Sequence, residues 1–429
     1  MNVTDPEIAG QTERPKLLQI LGPGLITGAS DDDPSGIATY SQVGAQFGNG
    51  LAWTLIFSYP LMVAIQMISA RIGRVTGFGI AGNLRRHYPV WLSGGIVGLL
   101  LVANVINLGA DLGAMGAALK LLIHGPALLY VALFGLLSAL LQIFMRYARY
   151  VAVLKWLCVS LLSYVVCAFV VKVSWTSVAL SIVWPPIALN ADYAMAVVAV
   201  LGTTISPYLF FWQAETEVED GKERDGARPL IRAPEQAHGE FTRIRIDTYI
   251  GMALSNLIAL FIVITTAATL NAKGVTDIQS AAQAAEALRS VAGPLTFAVF
   301  AAGIIGTGLL AIPVLAGSAA YAAGELFSWH VGLARRPARA KAFYAMIAAA
   351  TAIGVGLNFT SINPIKALYW SAVLNGVAAV PVMIVMMRMT MRPAIMGAFT
   401  LPRLLRIVGW LATAAMAATV VAMVATWFS

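Results

Sequence analysis

The sequence predicts an all-α polytopic membrane protein. It should have about 11 transmembrane helices, as two five-helix repeats of opposite orientation plus one extra C-terminal helix. Three observations carry that expectation. Of 429 residues, 59% are hydrophobic and 11% charged, where a soluble domain carries about 25% charged residues; the mean hydropathy is +0.79. Apolar runs of spanning length follow one another along the whole chain. Two of them, the first and the sixth, are interrupted near the middle by proline among polar residues.

The chain opens on a short polar stretch, 1–17, expected to be a cytoplasmic tail. It lacks the charged-then-apolar pattern of a signal peptide. Span 1 follows over about 18–46 and holds GPGLITGASDDDPSGIATY. Asp31, Asp32 and Asp33 sit inside an apolar run, and Pro34, Ser35 and Gly36 come next. An ionised Asp at a membrane helix centre costs roughly 2.5–3.5 kcal/mol even on the lenient insertion scale. Proline removes a backbone donor and disfavours helix at the residue before it. The stretch therefore reads as a helix broken at midplane, with carboxylates and freed carbonyls at the break. The competing reading is a short helix that ends at the interface with its aspartates in water. The apolar pattern resumes at Ile37 and runs to Phe47, which argues against it.

Spans 2 to 5 are expected at about 51–72, 93–122, 126–145 and 150–174. In span 3, Asn104, Asn107 and Asp111 share one helical face. Asp111 is a candidate for the ion pathway with Asn107, or a structural hydrogen-bonding group. Cys158 and Cys167 read as buried apolar residues rather than a disulfide or zinc pair.

Span 6, about 191–217, carries the second break near 203–208. Pro207 interrupts the helix, and Thr203, Thr204 and Ser206 put hydroxyls around it. The bland alternative is a kinked helix whose hydroxyls bond their own backbone. Glu215, Glu217, Glu219 and Asp220 form an acidic run beyond it. Glu215 lies eight residues past Pro207, about 12 Å along a helix, and is a candidate for the exit path. Spans 7 to 11 are expected at about 244–270, 295–327, 342–358, 364–387 and 405–428. Asp247 in span 7 reads as a salt-bridge partner of Arg243 or Arg245, and Asn375 in span 10 as a residue reaching the site.

Spans 1 and 6 each open a unit of five, 18–174 and 191–387, and an odd number per unit inverts the second against the first. That is the plan of inverted-repeat transporters, whose sites lie between discontinuous helices. If the N-terminus is inside, 23 of the 28 Lys and Arg residues fall on the inner side and 5 outside. This satisfies the positive-inside rule and puts the C-terminus outside. The net charge of +8 is thereby assigned to loops beside a lipid bilayer, with no call for nucleic acid. His87, His124, His238 and His330 all lie in or beside loops. No zinc-protease helix, serine elbow or phosphate loop occurs, so neither an enzyme nor an ATP-driven pump is expected.

The residues of span 1 resemble the natural resistance-associated macrophage protein (Nramp) family of divalent metal transporters. That family has Gly-Pro, nine residues, then Asp-Pro-Gly-Asn; here Gly22-Pro23 leads at the same spacing to Asp33-Pro34-Ser35-Gly36. The resemblance continues through span 6, through RIDTYIGMALSNLIALF and GVTDIQSAAQAAEAL, and into span 8. It implies a LeuT-like fold, inward transport and a site shared by spans 1, 6 and 10.

The departures are specific. The family's binding Asp falls on Asp33, but its ligand Asn falls on Gly36, and its Met-Pro-His on Ser206-Pro207-Tyr208. The family's acidic pair in span 3 falls on Asn107 and Ala110, with Asp111 one place out of register. The span-10 glutamine has no clear equivalent. The chain therefore looks like a divergent branch, similar to the Nramp-related magnesium transporters.

The expected metal site is Asp33 and Asp32, with oxygens from the neighbourhood of Gly28 and Thr203, from Ser206 and from Asn375. Asp31, Asp111, Asn107, Tyr208 and Glu215 would line the ion pathway. Oxygen ligands without sulfur suit hard ions, Mn²⁺ or Mg²⁺. The ion is cargo, and no cofactor is expected. Missing histidine and acidic relay residues predict weak or no proton coupling. The alternatives are a proton-coupled Mn²⁺/Fe²⁺ importer, an ion-coupled organic-solute symporter of the same fold, and an intramembrane aspartyl enzyme pairing Asp32 or Asp33 with Asp111. The expected location is a bacterial cytoplasmic (inner) membrane; the oligomeric state is not read from the sequence.

Overall fold

Each expected span has a helix in the computed structural model, which describes residues 22–145 and 161–427 except 189, 225, 334 and 361. The tail 1–17, the start of span 1, Cys158 and the first part of span 5 lie outside the described residues. Span 1 is two helices, Pro23–Asp31 and Pro34–Phe47. Spans 2, 3 and 4 are Ala52–Thr76, Val90–Ile123 and Ala127–Phe144. Span 5 is described as Leu162–Val170 and is followed, at a 115° bend, by Trp175–Val183. Span 6 is again two helices, Ala191–Thr204 and Pro207–Glu223. Spans 7 to 11 are Ala237–Thr269, Thr296–Phe327, Lys341–Leu357, Pro364–Thr390 and Arg403–Trp427.

By length and apolarity, eight helical runs among the described residues can cross a membrane. One of them, Pro34–Thr76, joins the second half of span 1 to span 2 through a single 3₁₀ turn, and span 9 is a shorter apolar helix. Several short helices outside the spans were not expected, and two of them are eight and nine residues long. Ile80–His87 links spans 2 and 3, and Trp175–Val183 precedes span 6. The first is too polar and too short to read as a span.

Close backbone approach fixes the two broken spans against their neighbours. Gly28 packs so tightly on Gly251 of span 7 that a Cβ would overlap the Gly251 carbonyl. Gly202, before the second break, has the same relation to Ala372 and Gly376 of span 10. In lipid, where helix association rests on packing and hydrogen bonds, such small-residue contacts hold helices in register. Asp247 is the third fastening, and it corrects the expected salt bridge. Its carboxylate accepts hydrogen bonds from the backbone of Gly22, Gly24 and Leu25 at 2.9, 2.7 and 3.0 Å. It thus caps the start of span 1, where amides have no partner within the helix. Arg243 pairs with Glu217 and Glu240 instead.

Candidate metal centre

The first break spans Asp32 and Asp33. Asp33 has extended backbone (φ −69°, ψ 170°) and is the N-cap of the second half-helix. Pro34 takes the first helical position, where a missing N–H costs nothing. The Asp33 carboxylate accepts from Gly36 N at 2.6 Å through Oδ1. Its Oδ2 accepts from Asn107 Nδ2 of span 3 at 3.0 Å and from the Tyr208 hydroxyl of span 6 at 3.3 Å. Three elements thus converge on one carboxylate. Span 10 is tied in one step further out. Ser371 donates to Asn107 Oδ1 at 2.7 Å and lies 3.0 Å from the Ser35 hydroxyl, which also bonds the Leu368 carbonyl.

The other two aspartates turn elsewhere. Asp31 Oδ2 accepts from Ser255 of span 7 at 2.7 Å, and Asp32 Oδ1 shares that hydroxyl at 3.3 Å. Among the described residues, no three Asp, Glu, His or Cys side chains group as a metal cage. All three aspartates are nevertheless buried, at 1, 3 and 3% exposure. The reading that placed them in water at an interface is wrong for that reason.

The second break spans Ile205 and Ser206. Here the hydroxyls bond their own helix, as the bland alternative had it. Ser206 Oγ donates to the Gly202 and Thr203 carbonyls at 2.6 and 2.7 Å, and Thr203 to Val200 at 2.8 Å. Their oxygens keep lone pairs but sit on a self-satisfied turn. Tyr208 is the side chain of this break that reaches across, to Asp33 and to the Ser30 carbonyl at 3.3 Å. Gly36, at the position of the family's asparagine, leaves little space: a Cβ there would lie 3.1 Å from the Asp31 carbonyl oxygen.

Around this centre several buried polar atoms have no partner: Asp31 Oδ1, both oxygens of Asp111 and Asn375 Oδ1. A buried polar group left unpaired costs about 1–3 kcal/mol, so such a cluster calls for a guest: an ion, water or a proton. Asn104, by contrast, is structural. It donates to the Leu315 carbonyl and to Ser318 of span 8. Asn256 likewise bonds the Leu55 carbonyl. Sequence reasoning missed Ser255, Ser371 and Ser35, and the chain of Thr27, Gln213 and Glu217 that leads from span 1 to Arg243. Their one signal was position: Ser371 lies four residues before Asn375 on the same face of span 10.

Two cavities flank the centre, and no wall residue of either is one of the three aspartates. One, of about 370 Å³, is lined by Ala38, Gln42, Thr276, Asp277, Lys366 and Tyr369, among others. Gln42 in its wall bonds Thr276 and Ile278 of the loop after span 7. The other, of about 470 Å³, lies on the side of the molecule where arginine is concentrated and includes Glu215. The aspartates are thus occluded between two vestibules.

Residues 24–426 match the family described as natural resistance-associated macrophage protein-like. The chain belongs to the Nramp family. The divalent metal cation transporter MntH of Klebsiella pneumoniae (strain 342) is 25% identical over 410 residues, 92% of this chain and 91% of its own. MntH of Pectobacterium carotovorum subsp. carotovorum (strain PC1) is 26% identical over 313 residues, 71% of each chain. The fold is also that of the Eremococcus coleocola manganese transporter, at TM-score 0.74 and 18% identity, covering 100% of this chain and 91% of that one. The inward-facing structure of Mhp1 is similar at TM-score 0.52 and 14% identity, over 94% of this chain and 90% of that one. The LeuT-like all-helical fold follows. Because Nramp proteins are transporters, the intramembrane-enzyme alternative falls away.

Proposed function

We propose that this Nramp protein carries hard divalent cations, Mn²⁺ or Mg²⁺, into the cytoplasm by alternating access. The carrying observation is Asp33, a buried carboxylate at a helix break, held from three elements and occluded between two vestibules. Asp33 binds the ion. Asp32, Asn375 and backbone carbonyls near Gly28, Thr203 and Ser206 complete its shell directly or through retained waters. Asn107, Tyr208, Asp111 and Asp31 line the path. An all-oxygen shell favours Mg²⁺ and Mn²⁺ over Cd²⁺.

The arginine-rich side is the cytoplasmic side of a bacterial inner membrane, with the N-terminus inside and the C-terminus outside. An inside-negative potential supplies roughly 2.3 kcal/mol per charge per 100 mV, enough to drive influx without a proton gradient. A second reading, proton-coupled metal import, is favoured by Asp111, buried with both oxygens unpartnered.

Uptake of Mg²⁺, Mn²⁺, Ca²⁺, Fe²⁺ and Cd²⁺ into proteoliposomes tests the ion preference, which is lost if Cd²⁺ is carried far better than Mg²⁺ or Mn²⁺. Lumenal pH, followed in the same vesicles, separates the two readings: strict co-acidification establishes coupling and removes the first.

A further inference from the structure

On the cytoplasmic side, buried carboxylates are matched one by one with partners. Glu217 has Arg243. Glu240 has Arg74, Arg224 and Arg243. Asp247 has three backbone amides. Glu215 breaks the pattern. It is 2% exposed, and its Oε1 has no hydrogen-bond partner. It faces another acid, Glu325, at the end of span 8. The two carboxyls meet over Gly79, where a Cβ would overlap oxygens of both. Glu325 is held in place by Gly79 N and Gly82 N at 2.8 and 2.6 Å, at the start of the Ile80–His87 helix. Each of its oxygens keeps a further lone pair.

Both acids line the 470 Å³ cavity, whose rim carries the exposed Arg85, Arg86, Lys222 and Arg232. Among the described residues, none of these cations forms an ion pair with Glu215 or Glu325; Arg86 lies over the Phe78 ring instead.

We infer that Glu215 and Glu325 form a second divalent-cation site, at the cytoplasmic mouth, which takes the ion released from Asp33. Two facing carboxyls with no cation nearby must either share a proton or take a cation between them, and their oxygens are the hard ligands that Mn²⁺ and Mg²⁺ prefer. The cavity beside them has room for a hydrated ion, since each water takes about 30 Å³. Glu215 lies about 12 Å along the helix from the break at Pro207, so one half-helix connects the two sites. This inference rests on the metal-transport reading above and deepens it.

Mn²⁺ binding to the purified full-length protein in lipid nanodiscs, counted by loss of the free-ion electron paramagnetic resonance signal, tests it. The expected result is two Mn²⁺ per chain in the unmodified protein, one in Asp33→Ala, and none in Asp33→Ala with Glu215→Gln. Glu215→Asp in the Asp33→Ala background should keep the remaining ion. Glu325→Gln is the less useful variant, because it also weakens the cap on Gly79 and Gly82. Binding that vanishes with Asp33→Ala alone overturns the second site and leaves the transport reading standing. A residual ion indifferent to Glu215→Gln also overturns it. If Asp33→Ala changes nothing while Glu215→Gln removes an ion, the mouth site holds and it is the assignment of Asp33 that fails.

Discussion

The two helix breaks use the same backbone device for different ends. Each interrupts a span, and each restarts it on a proline at the first helical position. At the first break the capping residue is an acid whose two oxygens take three hydrogen bonds, from its own span and from spans 3 and 6. At the second, the capping serine turns back on the helix it has just left. The first break is therefore wired to the rest of the molecule through a side chain. The second turns mostly on itself, and reaches the first break through Tyr208. A break costs hydrogen bonds wherever it occurs; what distinguishes the first break is a charged group positioned by three separate elements.

The largest effect should come from the acid itself. Asp33→Ala is expected to abolish Mn²⁺ and Mg²⁺ uptake in proteoliposomes. Loss of the cap costs about 1 kcal/mol of helix stability, so the variant should still elute as a folded species in detergent. Uptake at the unmodified rate would remove the first break from the mechanism. Next comes the wire from span 3. Asn107→Ala removes a hydrogen bond to a charged group, worth about 1.5–3 kcal/mol. It should raise KM for Mn²⁺ on the order of tenfold or more, because Asp33 loses one of its three donors and Ser371 one of its acceptors. An unchanged KM would mean that Asn107 only packs.

How much of this contrast was legible follows from its chemistry. Both breaks were visible because proline and adjacent aspartates violate an apolar pattern locally, within a few residues. The structure narrows them to Asp32–Asp33 and Ile205–Ser206. The span order was visible for the same reason, since hydropathy is a local quantity. Partner choice was not. Asp247 stands near Arg243 and Arg245 in sequence, and a salt bridge was the natural expectation, yet its oxygens cap span 1 more than 220 residues away. Ser255 and Ser371 are ordinary helical serines until folding sets them against Asp31 and Asn107. The hydroxyls of Thr203 and Ser206 marked the right place, but their donors are spent on local carbonyls, a choice that composition does not reveal.

A smaller effect is expected when the second break is given a ligand it lacks. Ser206→Met puts a soft thioether beside a hard centre. Thioether sulfur favours soft ions over magnesium, so the ratio of Cd²⁺ to Mg²⁺ uptake should rise several-fold. Absolute Mg²⁺ flux should fall little, since Asp33 and its partners stay in place. If the ratio does not move, position 206 does not face the ion, and the second break contributes backbone alone.

The smallest effect separates a ligand from a turn. Ser206→Ala deletes a hydroxyl whose proton is already donated to Gly202 and Thr203. Should that oxygen also bind the ion, its loss would cost a ligand and raise KM about tenfold, the scale of one hydrogen bond to a charged group. Should it only tighten the last turn, the cost is a local hydrogen bond of about 1 kcal/mol within a helix already held by Gly202 against span 10. The geometry predicts the second result, a KM within about threefold of the unmodified protein and a slightly lower melting temperature. A large rise in KM with unchanged stability would make the two breaks equal partners at the ion and undo the contrast drawn between them.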